Sequence, residues 1–282
     1  MKTNYLGLSE TVEEFISHLF QALFPAYFGE YEENFDAGKK TERETALAHA
    51  ALKKAVSYVS VNTSDGLYEN ADKFVSQFIE NIPAVRAFVE TDMVAAYEGD
   101  PAAKSIDEVI LSYPAFRAIT IYRFAHELYL MNVPLVPRLM TEYAHSVTGI
   151  DIHPGATIGS HFFIDHGTGI VIGETAVIGK NVKIYQGVTI GALSTRGGQK
   201  LSGKKRHPTI CDNVTIYAGA SILGGSTVIG ENAVVGGNTF ITSSINPNTI
   251  VSMKNLEMEY RTSENKIATE ELHQSDEWYY II

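Results

Sequence analysis

The 282-residue chain has a single cysteine, Cys211, so no disulfide can form within it. A lone cysteine at a strand-like position points to a reducing compartment. No apolar run approaches the roughly 20 residues that cross a bilayer as a helix. Met1-Lys2-Thr3-Asn4 is not followed by the apolar core of a signal peptide, so a cytoplasmic protein with no membrane partner is expected. There is no His-Glu-x-x-His and no Cys/His pair at ligand spacing, which argues for no metal. Basic residues are outnumbered, 22 against 33 acidic, and the net charge of −11 excludes nucleic acid as the expected partner. One stretch reverses the balance: from Thr175 to Cys211 there is no Asp or Glu.

That stretch lies inside a repeat. Aliphatic residues recur every six positions at Ile152, Ile158, Ile164, Ile170, Ala176, Val182 and Val188. They resume at Ile210, Ile216, Ile222, Val228 and Val234, after a gap that is no multiple of six. A helix repeats at about 3.6 residues and a strand at about 2, so six fits a short strand plus a turn. Three units make a triangular coil of about 18 residues, and stacked coils bury a column of aliphatic side chains. Gly155, Gly159, Gly173, Gly179, Asn181, Gly219, Gly230, Asn232 and Gly237 stand where corners need residues that tolerate positive φ. An ordinary sandwich of short strands would alternate with period two instead.

The first part of the chain reads differently. Ser9–Ala26, Lys40–Val61, Gly66–Gly99 and Pro114–Met131 carry helical spacing of apolar residues. The fold class expected is therefore α+β. A helical domain over 1–144 precedes a parallel β-helix over 145–255 with one protruding loop. A polar, acidic tail over 256–282 has no fold of its own.

Histidines cluster in and beside the repeat, at His145, His153, His161, His166 and His207. His166, in Asp165-His166-Gly167, occupies a corner where the repeat would place a small turn residue. Such a departure marks either acid–base function or a corner histidine bonded to a carbonyl. Asp151 lies 15 residues earlier, on the neighbouring coil and offset by about half a side. A carboxylate there orients the imidazole, or else simply turns the chain before Pro154. The insertion from Ala192 to Arg206 carries Arg196, Lys200, Lys204, Lys205 and Arg206. It suggests an anionic ligand; the alternative is a solvated loop.

These residues resemble a known family. The hexapeptide repeat, Asp151-Ile152-His153-Pro154, the run from Asp165 to Ala176 and Arg206-His207-Pro208 are similar to those of the serine acetyltransferases, which are hexapeptide-repeat acyltransferases. The resemblance runs from about Gly99 to Asn248. It implies a left-handed β-helix, active sites between the prisms of a homotrimer, and a helical domain joining two trimers. It implies acetyl-CoA as co-substrate and L-serine as acceptor, giving O-acetyl-L-serine on the route to cysteine. Position by position, it makes His166 the general base and Asp151 its partner. Asp100 and Asp165 would hold the serine amino group and Arg206 its carboxylate, with His207 beside it. Acetyl-CoA would be held near Gly191, Ala192, Ala218, Gly236 and Gly237. Three features depart from the family pattern: a longer basic loop, Tyr217 in place of a small residue, and Val251-Ser252-Met253-Lys254-Asn255 at the repeat's end. There Lys254 substitutes in the contact to the CoA nucleotide. Competing readings are another acceptor on the same fold, a γ-carbonic-anhydrase-like hydratase, and a non-catalytic scaffold. In this family a C-terminal Ile, here Ile282, commonly inserts into O-acetylserine sulfhydrylase; the alternative is that the tail folds back on its own surface.

Overall fold

The computed structural model describes residues 5–60, 71–254, 260–261 and 267–268. The end of the expected second helix, the start of the third and nearly all of the tail, Trp278 and Ile282 included, lie outside them.

Six helices lead the chain: α1 (Leu8–Leu23), α2 (Ala37–Ser60), α3 (Ala71–Gly99), α4 (Ile106–Ser112), α5 (Pro114–Leu130) and α6 (Val136–Thr148). Helix α1 buries Leu8, Val12, Phe15, Ile16, Leu19 and Leu23, an apolar stripe at three- and four-residue spacing. Ser105 caps α4, its hydroxyl accepting from the Glu108 amide at 3.1 Å. Neither α4 nor α6 was expected from the sequence: one is a capped helix of only 7 residues, and the other begins Val-Pro.

Helix α5 is not the amphipathic helix its spacing predicts, because it is buried on two sides. Phe116, Ile121, Phe124 and Leu128 join the helical core. Ala115, Ala118, Ile119 and Tyr122 join the core of the repeat.

From Asp151 the chain winds into a three-sided parallel solenoid of about five coils. Strands at Asp151–Ile152, Val171–Ile172, Thr189–Gly191, Ser221–Leu223 and Phe240–Ile241 form the first face. Thr157–Ile158, Val177–Ile178, Thr209–Ile210 and Val228–Ile229 form the second. Phe163–Asp165, Lys183–Tyr185, Thr215–Ile216, Val234–Val235 and Ile250–Val251 form the third.

The coils differ in length, and this corrects the six-residue count. Asp151 pairs with Val171, 20 residues on, and Val171 with Thr189, 18 on. Thr189 pairs with Ser221, 32 on, across the basic loop, and Ser221 with Phe240, 19 on. Each face buries two residues, two apart, so a count in sixes slides between rows. Ile170, Ala176, Val182 and Val188 are buried, but they belong to the second row; Ile172, Ile178, Ile184 and Ile190 continue the row of Ile152. Within the 19-residue coil the inward residues are Ile229 and Val235. Val228, expected inside, is 40% exposed.

The corners also differ from expectation. Asn181, Asn213, Asn232 and Asn248 hold φ of 55–59°, and their side chains bond from coil to coil at 3.0 Å. Gly159 and Gly179 do not have positive φ. They are needed because a Cβ at Gly159 would come within 2.6 Å of the Gly179 carbonyl in the next coil.

The first coil has an open edge whose backbone groups need partners. The helical domain supplies them. Tyr122 donates to the Ala156 carbonyl at 2.5 Å, and His126 Nδ1 meets the Pro154 carbonyl at 2.7 Å. Arg123 donates to the carbonyls of Ile158 and Gly159. Asp92 accepts the Phe162 amide at 2.9 Å, and Thr91 Oγ1 the His161 amide at 3.1 Å. The buried Arg123–Asp92 pair at 2.9 Å thus ties α3 and α5 to the solenoid.

Candidate active site

Two groups of functional side chains stand on two different edges of the prism. The first is where the third face turns into the first. Here the opening coil spends two extra residues between Asp165 and Gly169: Asp165 lies level with Tyr185, while Gly169 lies over Gly187. His166 sits in this bulge with φ of 57°, its side chain 57% exposed. Its Nε2 is 3.7 Å from Asp165 Oδ1.

Asp100 follows the C-terminus of α3. Its Oδ2 accepts the Tyr113 hydroxyl at 2.5 Å and its Oδ1 the Ala102 amide at 2.8 Å. The Tyr113 bond holds the carboxyl below its ordinary range, with the Ala102 amide and the charges of His166 and Lys183 acting the same way against burial. The Tyr113 hydroxyl is pushed up, by burial and by Asp100. Two elements far apart in sequence, the end of α3 and the strand Phe163–Asp165, thus bring Asp100, Asp165 and His166 to one edge.

Asp151 lies one coil below the bulge, its amide donating to the Ile170 carbonyl at 2.9 Å. Among the described residues no hydrogen bond joins it to His166. Its carboxylate is grouped with Glu142 and His145, ligating atoms within 4.8 Å of one another. These three could hold a cation, but Glu142 is already paired with Arg138. The carboxylate of the described chain nearest His166 is that of Asp165.

The second group stands where the first face turns into the second. Thr175 organises it. Its hydroxyl oxygen accepts the amides of Arg206 at 2.9 Å and His207 at 3.1 Å. The hydroxyl also lies 2.9 Å from His207 Nδ1, which accepts the Thr175 amide at 3.0 Å. An accepting Nδ1 leaves the ring proton on Nε2. Burial first, and then the charge of Arg206, push the His207 pKa down to about 4. Followed by NMR, the ring should therefore stay neutral through about pH 6.5, where a free histidine titrates. Because the unfolded chain takes up that proton first, this histidine's contribution to stability is complete above about pH 6.5 and falls as pH drops toward the folded value. Midpoint titration near the ordinary value would contradict the buried, neutral ring.

Arg206 pairs with Glu174, which also accepts the Tyr129 hydroxyl at 3.1 Å. Burial raises the Glu174 pKa, but bonds to Arg206 and Tyr129 outweigh it and hold the carboxyl low. Arg206 Nη1 is buried with no hydrogen-bond partner among the described residues. A cavity of about 290 Å³ opens beside Glu174 and Arg206, walled by Thr195, Gln199 and Ser202 of the basic loop. Sequence reasoning missed Glu174, Thr175 and Tyr129. The available signal was that Glu174 is the last acid before the acid-free stretch.

The residues expected to hold a nucleotide thioester divide in the same way. Ala218, Gly236, Gly237 and Lys254 stack above His166 on its own edge, following the register from Ile184 through Ile216 and Val235 to Val251. Gly191 and Ala192 lie on the other edge, where the basic loop leaves the first face. Tyr185 and Tyr217 stack at 5.0 Å on the His166 edge, which accounts for the large residue at 217. Half-buried Cys211 follows the strand Thr209–Ile210 of the second face, away from both groups.

Comparison with known proteins gives one answer. Residues 37–121 match the family model of the serine acetyltransferase N-terminal region. A plasmid-borne serine acetyltransferase of Synechococcus elongatus is 42% identical over 214 residues, 71% of this chain and 67% of that one. The enzyme of Synechocystis is 49% identical over 127 residues, 45% of this chain but only 49% of its own length. Among solved structures, serine acetyltransferase 1 of Entamoeba histolytica in complex with L-cysteine superposes with a TM-score of 0.76 at 38% identity, covering 84% of this chain and 86% of that one. The Neisseria gonorrhoeae serine acetyltransferase in complex with serine gives 0.58 at 30% identity, covering 86% and 95%.

Proposed function

The chain belongs to the serine acetyltransferase family, and on that premise we propose that it transfers the acetyl group of acetyl-CoA directly to the hydroxyl of L-serine, at a site assembled from two copies of the chain. The products are O-acetyl-L-serine, the precursor of cysteine, and CoA. His166 takes the hydroxyl proton as the serine oxygen attacks the thioester carbonyl. The tetrahedral oxyanion accepts a hydrogen bond from a neutral donor such as His207 Nε2–H. When the carbon–sulfur bond breaks, the imidazolium returns its proton to the thiolate. No nucleophile of the enzyme is consumed, and Cys211 has no part. Asp100 and Asp165 hold the ammonium; the Arg206 guanidinium, beside the cavity at Glu174, meets the carboxylate. Asp151 orients His166 from the coil below once its carboxylate turns away from Glu142 and His145.

The observation that carries this reading is the split site. Ammonium and carboxylate of an amino acid sit on one carbon atom. The edge bearing Asp100, Asp165 and His166 is a whole face away from Arg206 and His207, about five extended residues or roughly 16 Å. One chain cannot grip both ends. In a trimer of prisms, the bulge edge of one protomer meets the loop edge of the next, and serine lies between them. The nucleotide thioester follows the same seam up to Lys254. The helical domain joins two trimers, the protein works in the cytoplasm, and the C-terminal Ile282 engages the sulfhydrylase. No described helix is long and apolar enough to cross a membrane.

The test is thiol release from acetyl-CoA against a panel of hydroxy-amino acids, with L-serine expected to be preferred. Arg206→Ala should raise KM for serine far more than KM for acetyl-CoA, since the guanidinium fork fits a carboxylate. At serine well below the KM of Arg206→Ala, refolding His166→Asn together with Arg206→Ala should restore activity that neither shows alone there, to about a quarter of wild type, because some seams then combine two intact edges. No recovery from the mixture would mean that the two edges serve the same protomer.

A further inference from the structure

Lys183, so far only one of the charges that favour ionised Asp100, stands at the His166 edge. It lies on the third face, one coil above Phe163. Its ammonium donates to the Gly99 carbonyl at 2.6 Å, the last residue of the 29-residue helix α3. The same ammonium lies 4.8 Å from the centre of the Phe163 ring and 5.0 Å from that of Tyr185. The next residue after Gly99 is Asp100.

Taken together, we infer that Lys183 is a positioning residue for serine: it pins the C-terminus of α3 to the second coil and thereby sets Asp100 at the distance from Asp165 that grips the substrate ammonium. The inference rests on the functional reading above and adds to it the device that joins a helical-domain carboxylate to a solenoid site. A cation at a helix C-terminus is favoured by the helix dipole and bonds a carbonyl with no partner in its own helix. Two aromatic rings hold that cation where a flexible lysine would otherwise wander. The turn has little room to shift toward the solenoid, because a Cβ at Gly99 would come within 2.6 Å of the Phe163 ring. Tyr113 and the Ala102 amide orient the Asp100 carboxylate within the turn. Those contacts belong to the helical domain; among the described residues the hydrogen bond from the turn to the second coil is the one from Lys183.

The test separates positioning from general damage. Lys183→Met, which removes charge and donor but keeps the aliphatic stem, should raise KM for serine about tenfold, the scale of one charged hydrogen bond. KM for acetyl-CoA and the melting temperature should stay near wild type. Lys183→Arg should recover most of the loss. Gly99→Ala, which pushes the turn off Phe163 and leaves Lys183 in place, should share the serine defect. The acid limb of kcat/KM for serine should move to higher pH in Lys183→Met, since Asp100 loses one of the cations that favour its charge. The titratable groups around Asp100 are Tyr113, His166 and Lys183, with Glu108 and Asp165 acting on Tyr113. An unchanged KM for serine in Lys183→Met overturns the inference. So does a parallel loss of both substrates with a lowered melting point, or an arginine variant no better than methionine. A wild-type chain that releases no thiol with serine overturns the functional reading instead.

Discussion

Replacing His166 should lower kcat by at least about a hundredfold without unfolding the protein. The side chain is 57% exposed and makes no hydrogen bond among the described residues, so the fold asks nothing of it. Its backbone does carry a constraint, because φ is 57°. Alanine is strained there, whereas asparagine adopts that conformation readily and already does so at four stacked corners of the solenoid. His166→Asn is therefore the cleaner variant. Its imidazole is gone, the bulge is kept, and the serine hydroxyl loses its proton acceptor. Steady-state thiol release and a thermal melt suffice. A folded His166→Asn enzyme with near-normal turnover would remove His166 from the mechanism.

Arg123→Met should be the most damaging substitution to stability, costing about 3–5 kcal/mol, because it strands a buried carboxylate. Arg123 and Asp92 are 6% and 3% exposed, and the guanidinium meets both Asp92 oxygens, at 2.9 and 3.0 Å. It also covers two carbonyls of the first coil's open edge. Burial already pushes the Asp92 carboxyl above its ordinary value, against the pull of Arg123. Without Arg123 the folded-state value rises further above the unfolded one. At pH below the unfolded value the carboxyl is neutral in both states, and the added penalty vanishes. As pH rises past it, the unfolded chain ionises freely while the folded one resists. The deficit of Arg123→Met should therefore be larger near about pH 8 than near about pH 5. The Arg123→Met, Asp92→Leu double variant should recover part of the loss, since no charge is left buried. Urea melts at the two pH values decide the matter. A deficit independent of pH would mean that lost packing, not the stranded charge, sets the cost.

The solenoid could be read directly from the sequence because its physics is local. A six-residue unit needs an aliphatic residue and a corner, and both recur along the chain from Ile152 to Val234. His166 stood out for the same reason, as a large titratable group where the corner rule wants something small. The acid-free stretch likewise marked the basic loop. Local rules also set limits. With two buried residues on each face, counting in sixes could not tell Ile170 from Ile172, or Val228 from Ile229. The extra residues that shift the phase fall at corners, and only strand pairing counts those. The corner glycines looked alike in sequence. Stacking showed that Gly159 is required by the approach of Gly179 in the next coil and not by its own φ.

The rest came from contacts between distant residues. Lys183 meets Gly99 across 84 positions, Arg123 meets Asp92 across 31, and Arg206 meets Glu174 across 32. No periodicity encodes such pairs, because each partner is an ordinary residue in its own neighbourhood. Asp151 shows the same limit: sequence spacing brings it within a coil of His166, while packing against α6 groups its carboxylate with Glu142 and His145. The chemistry of the single residues was written in the chain. Which of them share an edge of the prism was decided by the coil lengths and by the helical domain docked on the first coil.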